Sequence, residues 1–506
     1  MNTKVIPFED LSTLHERHPD KVIVHCHGVF DLFHYGHLKH LESAKTFGDI
    51  LVVTVTQDRY VNKGPGRPRF SEAKRLAMVA ALDIVDYASI NIGPKAVDTI
   101  NALKPHRYVK GPDYIKKDDD RTGGIYVEEE AVERHGGKLV FTDDDTESAT
   151  KLINSFLHEW SPIQRQTLDR LRLNLRLDAV IELVDSFEDL TVTVIGEPIV
   201  DTYVFCKPEH LSSKSPSISA RFLYEENYAG GSWAVARHLA ALGCKVNVIA
   251  PMGNESFAHN CVASFEAIEN LNIVPFISSE LPTPRKTRFI SPTQHQRMFE
   301  ITNLDATRWA SEQLDGYLDA VREFGDASDV VCALDFGHGL WEQGRKDCLA
   351  NVNSFRALNV QTNSGNFGYN LFHKHSHYDY LVIDERELRL GMHDRFSDVR
   401  ELARRSHQEA VNRPMCVTLG VEGSMYLSAS NGEAESPTYF SEPVDTTGAG
   451  DAFFAVTALL AHKGADSLLI PFLGNLFAGL KTKIIGNKTS VSRLDFIRAI
   501  SGLLNT

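Results

Sequence analysis

The chain has no run of about 18 apolar residues, so nothing in it reads as a membrane-spanning helix. Its opening residues, Met1-Asn2-Thr3-Lys4, lack the apolar stretch of a secretory signal. The spacing of a zinc knuckle or a redox pair is missing too: the seven cysteines (26, 206, 244, 261, 332, 348 and 416) are odd in number and never stand as C-x-x-C. This argues against a disulfide frame, and reduced thiols in a soluble, cytoplasmic protein are expected. Positive charge is also short. With 53 Lys and Arg against 67 Asp and Glu the formal net charge is −14, which argues against a nucleic-acid partner, because a polyanion needs a basic surface. Small anionic substrates stay open, since a local pocket of histidine, lysine and glycine amides overrides the global sign. A chain of 506 residues has room for two or three domains, each with its own core.

What is present begins with His25-Cys26-His27-Gly28-Val29-Phe30-Asp31-Leu32-Phe33-His34-Tyr35-Gly36-His37. Val22-Ile23-Val24 reads as a buried strand, Gly28 releases the backbone, and Leu38, Leu41 and Ala44 resume at helical spacing. His34 and His37 then share one face at a helix start, beside backbone N–H groups that favour an anion, and can donate to nucleotide phosphates. A lone H-x-x-H is more often a pair of loop histidines; the strand-turn-helix context weighs against that here. Ile50–Thr56 is a near-continuous β-branched run, followed by a helix from Ser71 to Leu82 and strands at Asp86–Ile90, Tyr108–Gly111 and Lys138–Phe141. A closing helix is expected to open at Glu147. Strands alternating with helices predict a parallel, doubly wound sheet, with Gly28, His34, Lys110 and Ser148 meeting at its carboxyl edge.

The run Gly28-x-Phe30-Asp31-x-x-His34-x-Gly36-His37 resembles the cytidylyltransferase-like nucleotidyltransferases, as do Lys63-Gly-Pro-Gly-Arg-Pro68, Lys110-Gly111 and Ser148-Ala-Thr150. The transferase domain of the ADP-heptose synthases and the glycerol-3-phosphate cytidylyltransferases are the nearest in pattern. The resemblance implies a Rossmann-like domain over residues 1–160 that couples a sugar or polyol phosphate to a nucleoside triphosphate, CTP or ATP, with release of pyrophosphate. Gly28, Phe30, Asp31, Gly36, Lys110, Ser148 and Thr150 are then expected to hold the nucleotide. His34 and His37 are expected to carry catalysis, by positioning and charge neutralisation, with bound Mg²⁺ and basic groups such as Lys45 or Arg121. A lysine on an early helix is more often a solvated face, and the acidic Asp118-Asp119-Asp120 is more often a solvated loop than a metal site.

Residues 161–187 read as an amphipathic linker helix, with Leu168, Leu171, Leu175, Val180 and Leu183 among arginines. It is expected to pack between domains or against its copy in a homodimer. From 188 to 506 a second alternation begins, with strands at Leu190–Ile195, Lys245–Ile249, Val330–Leu334, Tyr380–Ile383 and Met415–Leu419. It contains Asp445-Thr446-Thr447-Gly448-Ala449-Gly450-Asp451. Gly448 and Gly450 let successive N–H groups face inward at a helix start, and Asp451 in the first turn can take a proton from an incoming hydroxyl. His373, His375 and His377 alternate and could share one face of a strand, but without a fourth ligand a solvated loop is favoured.

This half resembles the ribokinase (PfkB) carbohydrate kinases, particularly the kinase domain of the bifunctional ADP-heptose synthases. The resemblance implies a ribokinase-like α/β domain with Asp451 as the base and Gly448, Ala449 and Gly450 around the transferring phosphoryl. Asp201, Gly230, Gly231, Lys286 and Arg288 are expected on the sugar side. Thr418, Gly420, Gly423 and Asn475 are expected around the nucleotide, and Glu387 is expected to order Mg²⁺ indirectly. The pattern departs at Ala234, where these kinases carry asparagine, at His338, where the heptose kinases carry lysine, and at Thr362-Asn363-Ser364 and Asp384. The order, transferase before kinase, is the reverse of that family's. The expected protein is a bifunctional sugar-activating enzyme; the alternative is a nucleotidyltransferase with a degenerate, structural kinase-like domain.

Overall fold

The computed structural model describes residues 4–61, 68–111, 124–142, 160–211, 218–278, 282–291, 296–303, 311–342, 345–363, 365–440 and 443–505. The chain divides into two compact units, Met1–Trp160 with Ser501–Thr506, and Ser161–Ile500.

In the first unit β1 (Ile23–Gly28), β2 (Ile50–Thr56), β3 (Tyr87–Asn91), β4 (Arg107–Lys110) and β5 (Lys138–Phe141) form one parallel sheet in the order β3-β2-β1-β4-β5. The order reverses beside β1, the geometry that opens a ligand crevice at the carboxyl ends of the strands. Alternation along β2 explains the two layers. Leu51, Val53 and Val55 pack with Val24, Cys26, Leu41 and Val79, while Val52 packs with Leu11, Leu14, Ile23 and Leu103. Each such buried aliphatic side chain contributes about 1.5–3 kcal/mol.

The second unit opens with two helices, Pro162–Asn174 and Leu177–Asp185, in place of the single linker helix, because the chain turns extended at Leu175 and Arg176. The first buries Leu168 and Leu171, and Gln164 Nε2 donates to the Thr438 carbonyl of this same unit. Its main sheet has nine strands: β6 (Thr191–Gly196), β9 (Lys245–Gly253), β10 (Leu271–Ser278), β13 (Val330–Asp335), β14 (Phe355–Val360), β15 (Tyr380–Asp384), β16 (Met415–Thr418), β17 (Ser424–Ser428) and β18 (Gly432–Ser436). The order is β10-β9-β6-β13-β14-β15-β16-β17-β18, parallel except at β17 and β18. The helix Ala449–His462 is buried from Asp451 to Leu460, so it is apolar nearly all round. A separate four-stranded sheet, β12-β11-β7-β8, is built from β7 (Pro198–Leu211), β8 (Ile218–Gly231), β11 (Arg285–Ser291) and β12 (Gln296–Asn303). It was not expected from the sequence. All seven cysteines are free.

Candidate active sites

In the first unit β1 ends at Gly28 and the chain passes through two left-handed residues, Phe30 (φ 50°) and Leu32 (φ 52°), before the helix Tyr35–Lys45. Non-glycine residues in that region are strained, and such strain collects at functional turns. His34 is the N-cap. The Gly36 N–H donates to His34 Nδ1 (3.2 Å) and the His34 N–H donates to His37 Nδ1 (3.4 Å), a capping box made of two imidazoles. Their ring centres lie 3.9 Å apart. Because both Nδ1 atoms accept, each neutral ring carries its proton on Nε2, which makes Nε2–H a donor edge in both.

The turn is fixed from below. Asp31, expected at the nucleotide, is buried, and its Oδ1 accepts from the N–H groups of Arg69 (2.9 Å) and Phe70 (3.2 Å). These two bonds tie the turn to the loop at Arg69 and Phe70. Arg75, which the sequence did not single out, is fully buried and donates to the carbonyls of Phe70, Thr56 and Val29 and to Asp58. Lys110 pairs with buried Glu128 at 2.9 Å, so its charge is already matched within the fold. Burial, aided by Lys110, pushes the His27 imidazole down to about 4, so it is neutral at pH 7 and shares the Thr54 hydroxyl with His25. Lys45 bonds Asp86 and the Asp49 carbonyl, beside the amino ends of β2 and β3, which removes it from the motif's edge of the sheet. Ser148, Thr150, residues 63–67, 118–121 and the expected helix from Glu147 lie outside the described residues.

In the second unit Gly448 (φ 77°) is the N-cap of the helix Ala449–His462, and an added Cβ there would stand 2.6 Å from Asn487 Oδ1. Asp445 anchors the approach: it accepts from the N–H groups of Thr447 (3.0 Å) and Gly486 (2.8 Å) and from Tyr203 Oη (2.8 Å), and pairs with Arg297. The Ala449 N–H closes the turn onto the Thr446 carbonyl (3.2 Å), and the Gly450 N–H follows at the helix start, where an anion is favoured. Asp451 follows, buried, with Gln361 Nε2 donating to its Oδ1 at 2.8 Å. Burial pushes its carboxyl up to about 6, and Asp201 adds to the rise; the Gln361 bond, Lys286 and Lys481 oppose it.

Residues 190–491 match the family model for pfkB family carbohydrate kinases. The chain belongs to that family. Residues 25–154 match the cytidylyltransferase-like model. Bifunctional protein HldE of Pelobacter propionicus is 38% identical over 149 residues, 29% of this chain and 29% of its own length. That of Helicobacter pylori is 42% identical over 117 residues, 23% of this chain and 25% of its own. The matched region thus spans under a third of these relatives and falls in the N-terminal part of this chain. Two solved structures of Escherichia coli phosphofructokinase-2 share the fold. One, in complex with potassium, superposes with a TM-score of 0.52 at 14% identity over 62% of this chain and 99% of its own. The other, with substrates and products, gives 0.51 at 16% identity over the same shares.

Within the pfkB unit the expected sugar-side residues come together in part. Asp201 is buried, ion-paired to Arg288, which also reaches Glu300 at 2.8 Å. Gly230 is required beside it, since a Cβ would lie 2.4 Å from Asp201 Oδ2. Lys286 forms no ion pair among the described residues, and its charge acts on both Asp451 and His338. His338 is buried, its Nε2 without a hydrogen-bond partner among the described residues, and burial with Lys286 nearby pushes its imidazole down to about 3. Its loop is held by Glu197, a residue the sequence reading missed, whose carboxylate accepts from the N–H groups of Phe336, His338 and Leu340.

The pfkB unit's nucleotide-side expectations gather elsewhere. Thr418 ends β16, and the turn after it has Gly420 (φ 60°) and Gly423 (φ 112°), closed by the Leu419 N–H donating to the Gly423 carbonyl (2.8 Å). Asn475 Nδ2 donates to the Ser436 carbonyl (2.7 Å), so its amide braces the backbone that lies against Gly423. Glu387 completes a capping box with Asp384 and accepts from the N–H groups of Asp384 (2.7 Å) and Thr362 (2.8 Å). Burial and the Asp384 carboxylate push it up to about 8. Both its oxygens serve the fold, and among the described residues no group of three or more His, Cys, Asp and Glu could hold a metal. A Mg²⁺ ion here is thus fitted only by arrival on nucleotide phosphates, with most of its ligands from them and from water. His373, His375 and His377 are on no strand: His375 is buried with Nε2 2.6 Å from Asp335 Oδ2, and His373 is exposed on a short 3₁₀ turn.

Proposed function

We propose that the chain activates a sugar or polyol in two steps. In the pfkB unit Asp451, ionised at pH 7, takes the proton of an acceptor hydroxyl. The hydroxyl oxygen attacks the γ-phosphorus of ATP and ADP leaves, while the Gly450 N–H and the positive end of the helix Ala449–His462 hold the transferring oxygens. Lys286, Asp201 with Arg288, Gly230 and Gly231 line the acceptor side, and Thr418, Gly420 and Gly423 flank the nucleotide with Asn475 bracing them. Mg²⁺ neutralises phosphate charge when bound.

In the first unit a phosphate oxygen of the product attacks the α-phosphorus of CTP or ATP, and pyrophosphate leaves. No base is needed, because a phosphate oxygen is already a nucleophile. His34 and His37 direct their Nε2–H groups to the triphosphate, and Gly28, Phe30 and Gly36 shape the turn that brings it close. The product suits cell-surface glycan assembly in the cytoplasm. We assign the working form as a homodimer, on the strength of exposed Ile218, Phe222, Tyr224, Phe299 and Ile301 on the edge strands β8 and β12.

The observation that carries this reading is the coexistence of the buried, hydrogen-bonded Asp451 beside its glycine turn with the imidazole capping box of His34 and His37. Mass spectrometry of products formed with Mg²⁺, ATP and CTP tests it, using one pool of free sugars and polyols and one of their phosphates. Nucleotide-linked product from the free pool is expected. Product from the phosphate pool alone would leave the pfkB unit structural.

A further inference from the structure

Lys481 is the last residue of the helix Leu469–Lys481, fully buried, and unused by the reaction described above. Its ammonium donates to the carbonyl of Thr447 at 2.8 Å and that of Gly486 at 2.6 Å, with the Ile484 carbonyl at 3.5 Å. Thr447 immediately precedes the Gly448 turn. Lys481 forms no ion pair among the described residues, so carbonyl dipoles face its charge directly, with Asp445, Asp451 and Asp201 acting from further off. Next to it Asn487 Oδ1 is buried with no hydrogen-bond partner among the described residues, and a Cβ added at Gly448 would meet both Asn487 Oδ1 and Lys481 Cε.

Backbone carbonyls and an amide oxygen gathered around one point, backed by carboxylates, are the surroundings of a bound monovalent cation. An ammonium group and a potassium ion are of similar size and charge. We propose that Lys481 is a built-in cation: it fills, from behind the Gly448–Asp451 turn, the place of a free monovalent ion, so that phosphoryl transfer in this unit needs no potassium. It is a positioning residue. Holding the Thr447 carbonyl fixes the Gly448 conformation and hence the aim of the Gly450 N–H at the helix start, and its charge adds to that of the helix start.

This inference rests on the kinase reading, so its test has one arm that needs no turnover. In the first arm, kinase rates of the full chain are compared in KCl, NaCl and tetramethylammonium chloride at equal ionic strength. The wild-type rate is expected to change by less than about twofold; stimulation of about tenfold by potassium would overturn the proposal. Lys481→Met is expected to lower kcat by about 100-fold in tetramethylammonium, with a smaller change in the KM for ATP, and to regain about tenfold on adding KCl or ammonium chloride. A folded Lys481→Met protein indifferent to these ions would count against it.

In the second arm the melting temperature is followed in the same salts. The wild type is expected to melt alike in all three, and Lys481→Met several degrees higher in KCl than in tetramethylammonium, because the vacated carbonyls bind the ion. Potassium-specific stabilisation of the wild type would overturn the proposal even if the variant failed to fold. If no acceptor is ever phosphorylated, the kinase reading fails and this arm still decides the role of Lys481.

Discussion

Gln361 donates its Nε2–H to Oδ1 of Asp451 over 2.8 Å, which fixes one carboxylate oxygen of the proposed base and leaves the other to meet an acceptor. Gln361 reaches Asp451 from just beyond β14, ninety positions earlier in the chain. The bond orients a group that burial has already made more basic than an ordinary aspartate.

The kinase rate is expected to follow the ionised fraction of Asp451. With its carboxyl near 6, the rate should be level above pH 7 and fall about tenfold per unit below pH 5. Because the pKa is raised by folding, ionised Asp451 costs stability that is lost as pH rises from about 4 to 6. Asp451→Asn should therefore lose about 10²–10⁴ in kinase rate while gaining on the order of 1–3 kcal/mol at pH 7. Kinase pH profiles and urea melts of the two proteins check both halves.

The two activities should separate by mutation. Asp451→Asn should leave nucleotidyl transfer to preformed sugar phosphates intact. His37→Ala should reduce that transfer about 10²–10³-fold, leave the kinase step intact and cost about 1 kcal/mol through the lost cap. Parallel assays of ADP and pyrophosphate release test the crossing pattern.

Much of this was legible in the sequence, and the reason is local. Leu51 to Val55 is an apolar run because both faces of β2 are covered, and Gly448, Gly450 and Asp451 stand together because one turn and one helix start build the site. Gln361, Arg75, Glu197 and Lys481 were not legible, since each acts on backbone or side chains far along the chain and carries no spacing signal. The β7–β8 hairpin was missed for a different reason. Its outer half leaves Ile218, Phe222 and Tyr224 exposed and flanks a stretch rich in serine and proline, so it shows neither a buried run nor a clean turn. The bonds of Asp31 Oδ1 to the N–H groups of Arg69 and Phe70 were not legible either, since those partners lie nearly forty positions along the chain.

His338 should tune the acceptor and not the nucleotide. Its Nε2 beside Lys286, without a hydrogen-bond partner among the described residues, gives His338→Ala an acceptor KM about tenfold higher, with the ATP KM unchanged. With its imidazole near 3, His338 stays neutral across pH 5–8, so this contribution should show no pH dependence there. Steady-state kinetics on both substrates decide the point.

The exposed apolar residues of β8 and β12 should be the homodimer contact. Replacing Phe222 and Ile301 by glutamate is expected to yield a folded monomer by sedimentation, because two charges would be buried in the contact. A dimer unchanged in the double variant would place the contact elsewhere.

The most direct test of the whole account follows one phosphorus atom. The full chain is given a free sugar or polyol, CTP and ATP labelled at the γ-phosphate, with Mg²⁺. If the pfkB unit phosphorylates the acceptor and the first unit couples that product, the label must appear in the nucleotide-linked product, on the phosphorus that joins the sugar. Label confined to a sugar phosphate or to inorganic phosphate, with no labelled nucleotide-linked product, would contradict a serial two-site enzyme.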